Sequence, residues 1–224
     1  MNNLTDWKWR CRFSLGVSPR LFYPAYRVYY HLNPRKIHEI ERFTRESTEI
    51  AIEGFPRSAN TSTVGHFQTF NPRVRIAHHH HVPAQVIRAV ELGIPAIVLI
   101  RPPEEAISSL KCLEPKLPLE TVIEGYRSFY ETLLPYSENY VIAPFDRLFT
   151  DFDGIIDRVN RKFETRFSIG APLPRLQTFR EAKFPYLHSL QRKRYRAMMR
   201  STRELYQTYL ALEQNNRPRI LQRV

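Results

Sequence analysis

The segment Ala96-Ile97-Val98-Leu99-Ile100 constrains the fold more than any other. It is five apolar residues long, follows Gly93, and ends abruptly at Arg101-Pro102-Pro103. A short, unalternated, β-branched run between such breakers reads as a strand buried on both faces. Strands of that kind belong to parallel sheets covered by helices on each side. The flanking sequence agrees. Glu49–Gly54 reads as a strand, about Thr61–Phe70 as a helix, Val74–Ala77 as a strand, and Pro83–Leu92 as a helix with Val86, Ile87 and Val90 on one face. Beyond the central strand, Leu119, Val122, Ile123, Tyr126, Phe129, Tyr130 and Leu133 repeat at helical spacing, as do Phe152, Ile155, Ile156, Val159 and Phe163. Tyr140–Ala143 lies between them as another strand, and about 186–213 reads as a basic helical part. The expectation is an α/β fold with a central, mostly parallel sheet flanked by helices. Its α/β domain would span residues 46–224.

Residues 1–45 differ in character. Trp7, Trp9, Phe13, Phe22, Tyr23, Tyr26, Tyr29 and Tyr30 stand among Lys8, Arg10, Arg12, Arg20 and Arg27, with Pro24 and Pro34 interrupting. The expectation is an arm of short helices whose aromatics pack on the main core. A peripheral membrane contact through this arm is the sharper alternative.

The chain has 34 Lys+Arg against 22 Asp+Glu, a formal net charge of +12. That balance calls for anionic partners: nucleotides, nucleic acid, sulfated or phosphorylated ligands, or a membrane surface. The longest apolar stretch, Ile94–Ile100, is far short of the roughly 20 residues a spanning helix needs. The first residues contain no signal-like apolar run, and Cys11 and Cys112 suggest neither a disulfide framework nor a zinc site. A soluble cytoplasmic protein in a reducing compartment is expected.

In sheets of this type ligands bind beyond the carboxyl ends of the strands. Three turns lie there. The first is Gly54-Phe55-Pro56-Arg57-Ser58-Ala59-Asn60-Thr61-Ser62, a strand-to-helix turn. The free N–H groups of a helix start hold phosphate well, and Arg57 adds a fixed charge, although ordinary helix capping would use the same residues. It lacks the Gly-Lys pair of a Walker A loop, which disfavours a usual ATPase or GTPase. The second turn carries His78, His79, His80 and His81 before Val82-Pro83. A general base, a metal ligand or a solvated turn would each fit. The third joins Arg101, at the strand end, to Ser109, which lies about two turns into the next helix. Both suit an anion, and Arg101 could equally pair with a carboxylate.

Taken in order, the three turns resemble the motifs of sulfotransferases that use 3′-phosphoadenosine 5′-phosphosulfate (PAPS). Phe55-Pro56-Arg57-Ser58-Ala59-Asn60-Thr61 stands where that family has approximately Tyr-Pro-Lys-Ser-Gly-Thr-Thr. His81-Val82-Pro83 matches its His-hydrophobic-Pro, and Arg101 with Ser109 matches its Arg and the Ser eight residues on. Ala143-Pro144-Phe145-Asp146-Arg147-Leu148 is similar to its strand followed by Tyr-Glu-Asp-Leu. The resemblance covers roughly residues 49–165.

It implies a P-loop-NTPase-like architecture and transfer of a sulfuryl group from PAPS to an acceptor hydroxyl or amine, leaving PAP. Arg57 would hold the phosphosulfate and neutralise the leaving phosphate. Ser58, Ala59 (through its N–H), Asn60, Thr61 and Ser62 would line the 5′-phosphate loop. Arg101 and Ser109 would bind the 3′-phosphate. His81 would be the general base, with His79 the alternative, and no metal is required. The acceptor would be a small molecule or carbohydrate.

Ala59 departs from the family's Gly, and His79 stands where Lys is frequent. The family's C-terminal Arg-Lys-Gly motif is not recognisable; Arg192-Lys193-Arg194 is a substitute source of charge or a solvated helix face. A non-catalytic nucleic-acid-binding protein is the alternative function. It rests on the basic balance and the Arg-rich segment 192–203, but no nucleic-acid motif supports it.

Overall fold

The computed structural model describes residues 3–173 and 186–216. The expected 46–224 domain therefore extends beyond the described residues. Four strands, β1 (Ile50–Gly54), β2 (Ile76–His78), β3 (Ala96–Ile100) and β4 (Val141–Pro144), form one sheet in the order β2-β1-β3-β4. Every pairing is parallel. The α/β architecture with helices on both faces is as the sequence predicts. Strand β2 sits further along the chain than the expected 74–77, and β4 includes Pro144. Parallel pairing to β1 places Ile50 opposite Ile76 and Ile52 opposite His78. The register thus takes the first histidine into the ladder.

Alternation along the strands assigns the two faces. Ile50, Ile52, Ile97, Leu99, Val141 and Ala143 face one core. Helices α3 (Asn60–Phe70) and α8 (Phe152–Phe163) supply its other half through Val64, Phe67, Phe152, Ile155, Ile156 and Val159. Ala51, Val98, Ile100 and Ile142 face the second core. There α4 (Pro83–Glu91), α5 (Pro103–Leu113), α6 (Leu119–Leu133) and α10 (Arg196–Asn215) pack. A one-turn α7 (Phe145–Leu148) follows β4, and a one-turn α9 (Leu187–Leu190) precedes α10.

Gly54 ends β1 at a close approach: a Cβ there would lie 2.6 Å from the Leu99 carbonyl oxygen. On the second face, tyrosines reach the strand ends. Tyr130 Oη donates to Leu99 O (2.7 Å) and Tyr126 Oη to Arg101 O (2.8 Å). Each is fully buried, so these bonds satisfy both the hydroxyl and a strand-end carbonyl.

The arm consists of α1 (Asn3–Gly16), α2 (Pro19–His31) and a 3-10 turn, Pro34–Arg42. Trp9 and Phe13 join the second core, while Phe22, Tyr30 and Phe43 form a third cluster with Val82 and Ala84. Most arm aromatics are thus packed against the body. Trp7 is 61% exposed and Tyr29 is also exposed. Among the described residues no helix is long and apolar enough to cross a membrane.

Candidate active site

The chain direction reverses between β1 and β3. From β1 it crosses to β2 on one side, then returns to β3 on the other. Two strands that diverge in this way open a crevice at their carboxyl ends. Arg57 follows β1 and Arg101 follows β3, so the two cations stand on opposite lips of that crevice.

The turn after β1 has unusual backbone geometry. Arg57 (φ 72°) and Ala59 (φ 69°) both lie in the left-handed region, with fully buried Ser58 between them. Non-glycine residues avoid this region at a cost of about 1–2 kcal/mol each. Ala59 is also the N-cap of α3, and no side chain caps that helix start. Glycine would adopt this conformation without that cost. Asn60 Nδ2 donates to Phe55 O (3.2 Å), leaving Asn60 Oδ1 buried without a partner, as are Thr63 Oγ1 and Ser108 Oγ. Thr61 is exposed at the helix mouth and Ser62 is half-buried.

Arg101 is only 3% exposed. Its Nη1 donates to Arg57 O (3.0 Å), its Nε and Nη2 bind the Glu105 carboxylate (3.0 Å each), and its guanidinium lies over Phe145 at 4.2 Å. Burial pulls its pKa down against the pull of Glu105. Glu105 is thus the carboxylate partner that a strand-end arginine can take. Ser109 meets the other arginine: Arg57 Nε donates to Ser109 Oγ (3.0 Å). Arg57 itself is exposed.

The histidine turn is a second left-handed element, with His79 (φ 65°) and His81 (φ 53°). Glu53, fully buried in β1, holds it. Its Oε1 accepts the His80 N–H (2.9 Å) and its Oε2 the His81 N–H (3.0 Å). Burial pushes this carboxyl up to about 7, although the two N–H bonds pull the other way. Arg12 of α1 closes the turn from outside, donating through Nε to His80 O (3.0 Å). The His80 ring is buried against Phe22, Tyr30 and Phe43, with Nε2 3.1 Å from Glu39 O. His80 is therefore structural.

The four rings play different parts. His79 Nε2 is 2.9 Å from Thr61 Oγ1, and its Nδ1 contacts His78 Nδ1, so both nitrogens are engaged. His81 Nδ1 is 3.0 Å from Gly54 O. A carbonyl only accepts, so Nδ1 carries the proton and Nε2 keeps the lone pair. Burial, reinforced by Arg12, pushes His81 down to about 3, and burial with His79 does the same to His78. His79 and His80 are also lowered, chiefly by burial. All four rings are neutral at pH 7. Among the described residues no group of three His, Cys, Asp or Glu side chains could hold a metal ion.

The sequence-singled residues thus meet at one end of the sheet. Hydrogen bonds link His81 to Gly54, His79 to Thr61, Arg101 to Arg57 and Arg57 to Ser109. Sequence reasoning missed Glu53, Glu105 and Arg12. A lone carboxylate inside Ile50-Ala51-Ile52-Glu53-Gly54 was the available signal, because a buried strand admits a charge only with fixed partners. No family model matches the chain, and no curated protein matches it.

Proposed function

We propose that this chain is a sulfotransferase that moves a sulfuryl group from PAPS to an acceptor hydroxyl or amine. One observation carries the reading. A left-handed turn ending in an uncapped helix start is tied to Arg101 at the neighbouring strand end, and a second left-handed turn brings a neutral imidazole, His81, to the Gly54 carbonyl at the base of the first. The uncapped N–H groups at the start of α3 fit an anionic ligand better than a closed structural turn.

PAPS, when bound, supplies the sulfuryl group: its S–O bond to the 5′-phosphate breaks as a bond to the acceptor forms, and PAP departs. The N–H groups of Asn60, Thr61 and Ser62, with Ser58 and the Ala59 N–H, cradle phosphate oxygens at the start of α3. Arg57, tethered through Nε, keeps its Nη groups for the charge that grows on the leaving phosphate. Arg101 fixes the Arg57 carbonyl and, with Ser109, adds the cationic side facing the 3′-phosphate. His81 takes the acceptor proton on Nε2 while Gly54 O holds its other nitrogen. His79, with both nitrogens engaged, is the weaker candidate. Negative charge brought into the crevice favours the imidazolium and offsets the burial that depresses His81.

The proposed location is the cytoplasm, a reducing compartment that suits the free thiols Cys11 and Cys112. The acceptor is a small molecule or a carbohydrate.

Transfer of radiolabelled sulfate from PAPS across phenolic and carbohydrate acceptors, with PAP calorimetry, tests the proposal. Arg57→Ala lowers PAP affinity by about tenfold or more, the loss of one charge-assisted bond pair. His81→Ala slows transfer by about 10²–10⁴ while PAP affinity stays nearly constant. Absence of PAP binding at high protein concentration overturns the function. Full turnover by His81→Ala overturns the base assignment.

A further inference from the structure

Helix α2 has two apolar faces, and only one is used by the fold. Phe22 and Tyr30 are buried against the third cluster. Leu21, Pro24, Val28 and Leu32 form a second stripe, within an arc of about 80° at 3.6 residues per turn. That stripe faces solvent: Leu21 is 54%, Val28 60% and Leu32 77% exposed, and Pro24 is exposed as well. Isolated surface leucines need no explanation, but a continuous aliphatic row does.

The charge beside this row is one-sided. Arg20, Arg27 and His31 recur along the helix as a parallel exposed row about 80° from the centre of the apolar stripe. The next turn adds exposed Arg35, Lys36 and Ile37, and Lys36 Nζ lies 5.9 Å from the Tyr29 ring centroid. From Trp7 through His38 there is no Asp or Glu. Arg10 is paired with Asp6 and Glu124 and Arg12 is bound to His80 O, which leaves Arg20, Arg27, Arg35 and Lys36 as the cations of this face, against Glu41 and an Arg42-paired Glu39 at the far end of the 3-10 turn. On α1, Leu4 and Trp7 are also mostly exposed.

We infer that α2 and the 3-10 turn after it are a docking face for an anionic lipid bilayer, with Leu21, Val28 and Leu32 entering the headgroup–acyl boundary. The occupant follows from the chemistry. Aliphatic tips gain free energy in acyl chains, and flanking cations gain it from anionic headgroups. Nucleic acid rewards aromatic stacking and cations but gives Leu and Val nothing comparable. A second copy of the chain would bring the same uncompensated cations face to face. The inference is independent of the sulfotransferase reading, since it involves none of the crevice residues.

Sedimentation of the full chain with phosphatidylcholine vesicles, with and without phosphatidylserine, tests it. Expected are binding to the phosphatidylserine vesicles, weakening with salt, and little binding to neutral ones. Val28→Glu with Leu32→Glu lowers that binding by about tenfold or more, since each loses a buried apolar tip and adds like charge to the lipid. Both sites are exposed, and an unchanged thermal unfolding curve verifies the fold of the variant. Arg20→Gln with Arg27→Gln lowers binding by about fivefold per cation removed. The proposal is overturned if the chain fails to sediment with phosphatidylserine vesicles at low salt, or if Val28→Glu with Leu32→Glu binds like the parent. It is equally overturned by duplex DNA binding or by dimerisation that depends on Val28 and Leu32 without vesicle binding.

Discussion

The turns after β1 and β2 use one backbone device and finish it in opposite ways. Each places two non-glycine residues in the left-handed region, Arg57 and Ala59 in one, His79 and His81 in the other. The histidine turn is saturated: Glu53 takes two of its N–H groups, Arg12 takes its His80 carbonyl, and the His80 ring is buried among aromatics. The turn after β1 is tied at its backbone by Arg101 at Arg57 and by His81 at Gly54, and leaves buried Asn60 Oδ1 unpartnered. Both store strain, but only the first resolves it internally. The fold thus spends buried polar groups on rigidity in the turn after β2 and leaves one unspent in the turn after β1.

The largest effect that bears on this contrast is at Glu53. Glu53→Ala strips acceptors from two buried N–H groups and costs about 2–6 kcal/mol, at 1–3 per orphaned group. Urea unfolding with an unchanged m-value measures it. A cost below about 1 kcal/mol, inside the range of an ordinary single hydrogen bond, would mean the histidine turn stands without its carboxylate and the contrast fails.

Acid comes next. His78 and His81 are held near 3, so below pH 6.5 the unfolded chain binds two protons there that the folded chain refuses. Glu53, raised to about 7, opposes with one proton bound by the folded chain between about 7 and 4.5. The net excess is one proton on the unfolded chain, so stability falls by about 1.4 kcal/mol per pH unit below pH 6.5. His79 and His80, lowered in the same direction, make the fall steeper. Denaturant midpoints between pH 7 and pH 5 report it; stability that instead rose toward pH 5 would leave Glu53 as the only shifted group and show the rings to be solvated.

The smallest effect sharpens the other side. Ala59→Gly relieves a left-handed alanine and raises stability by about 0.5–1 kcal/mol after the added freedom of the unfolded chain is deducted. PAP calorimetry on the same variant shows whether the relaxed turn receives phosphate more readily. A destabilised variant would mean that the alanine methyl packs favourably enough to outweigh its backbone cost.

The parts of this site that were legible in the sequence are those written in local pattern. The apolar run of β3, its stop at Arg101, and the turn from Gly54 into α3 all follow from spacing and breakers. The partnerships were not legible. Arg101 lies beside Glu105 because α5 begins at Pro103 and brings residue 105 back over the strand end, one helical turn away. Ser109 reaches Arg57 across 52 residues, and Glu53 reaches the histidine turn across 27. Such bonds depend on which strands are neighbours, and no periodicity in the chain encodes that order. The strand β2 was displaced for the same reason: three residues paired only to β1 take their limits from that partner's register rather than from their own hydrophobicity.

The seating of the arm has a consequence for biosynthesis. Arg12 bonds to a carbonyl 68 residues later in the chain, and Thr44 bonds to Gln85, 41 residues later. The arm, made before its partners, must therefore wait with its aromatic faces uncovered until the residues around 80–85 have been made. The arm is thus among the stretches that can finish folding only late, and pausing during translation ahead of His80 would lengthen the interval in which it is open to capture by chaperones.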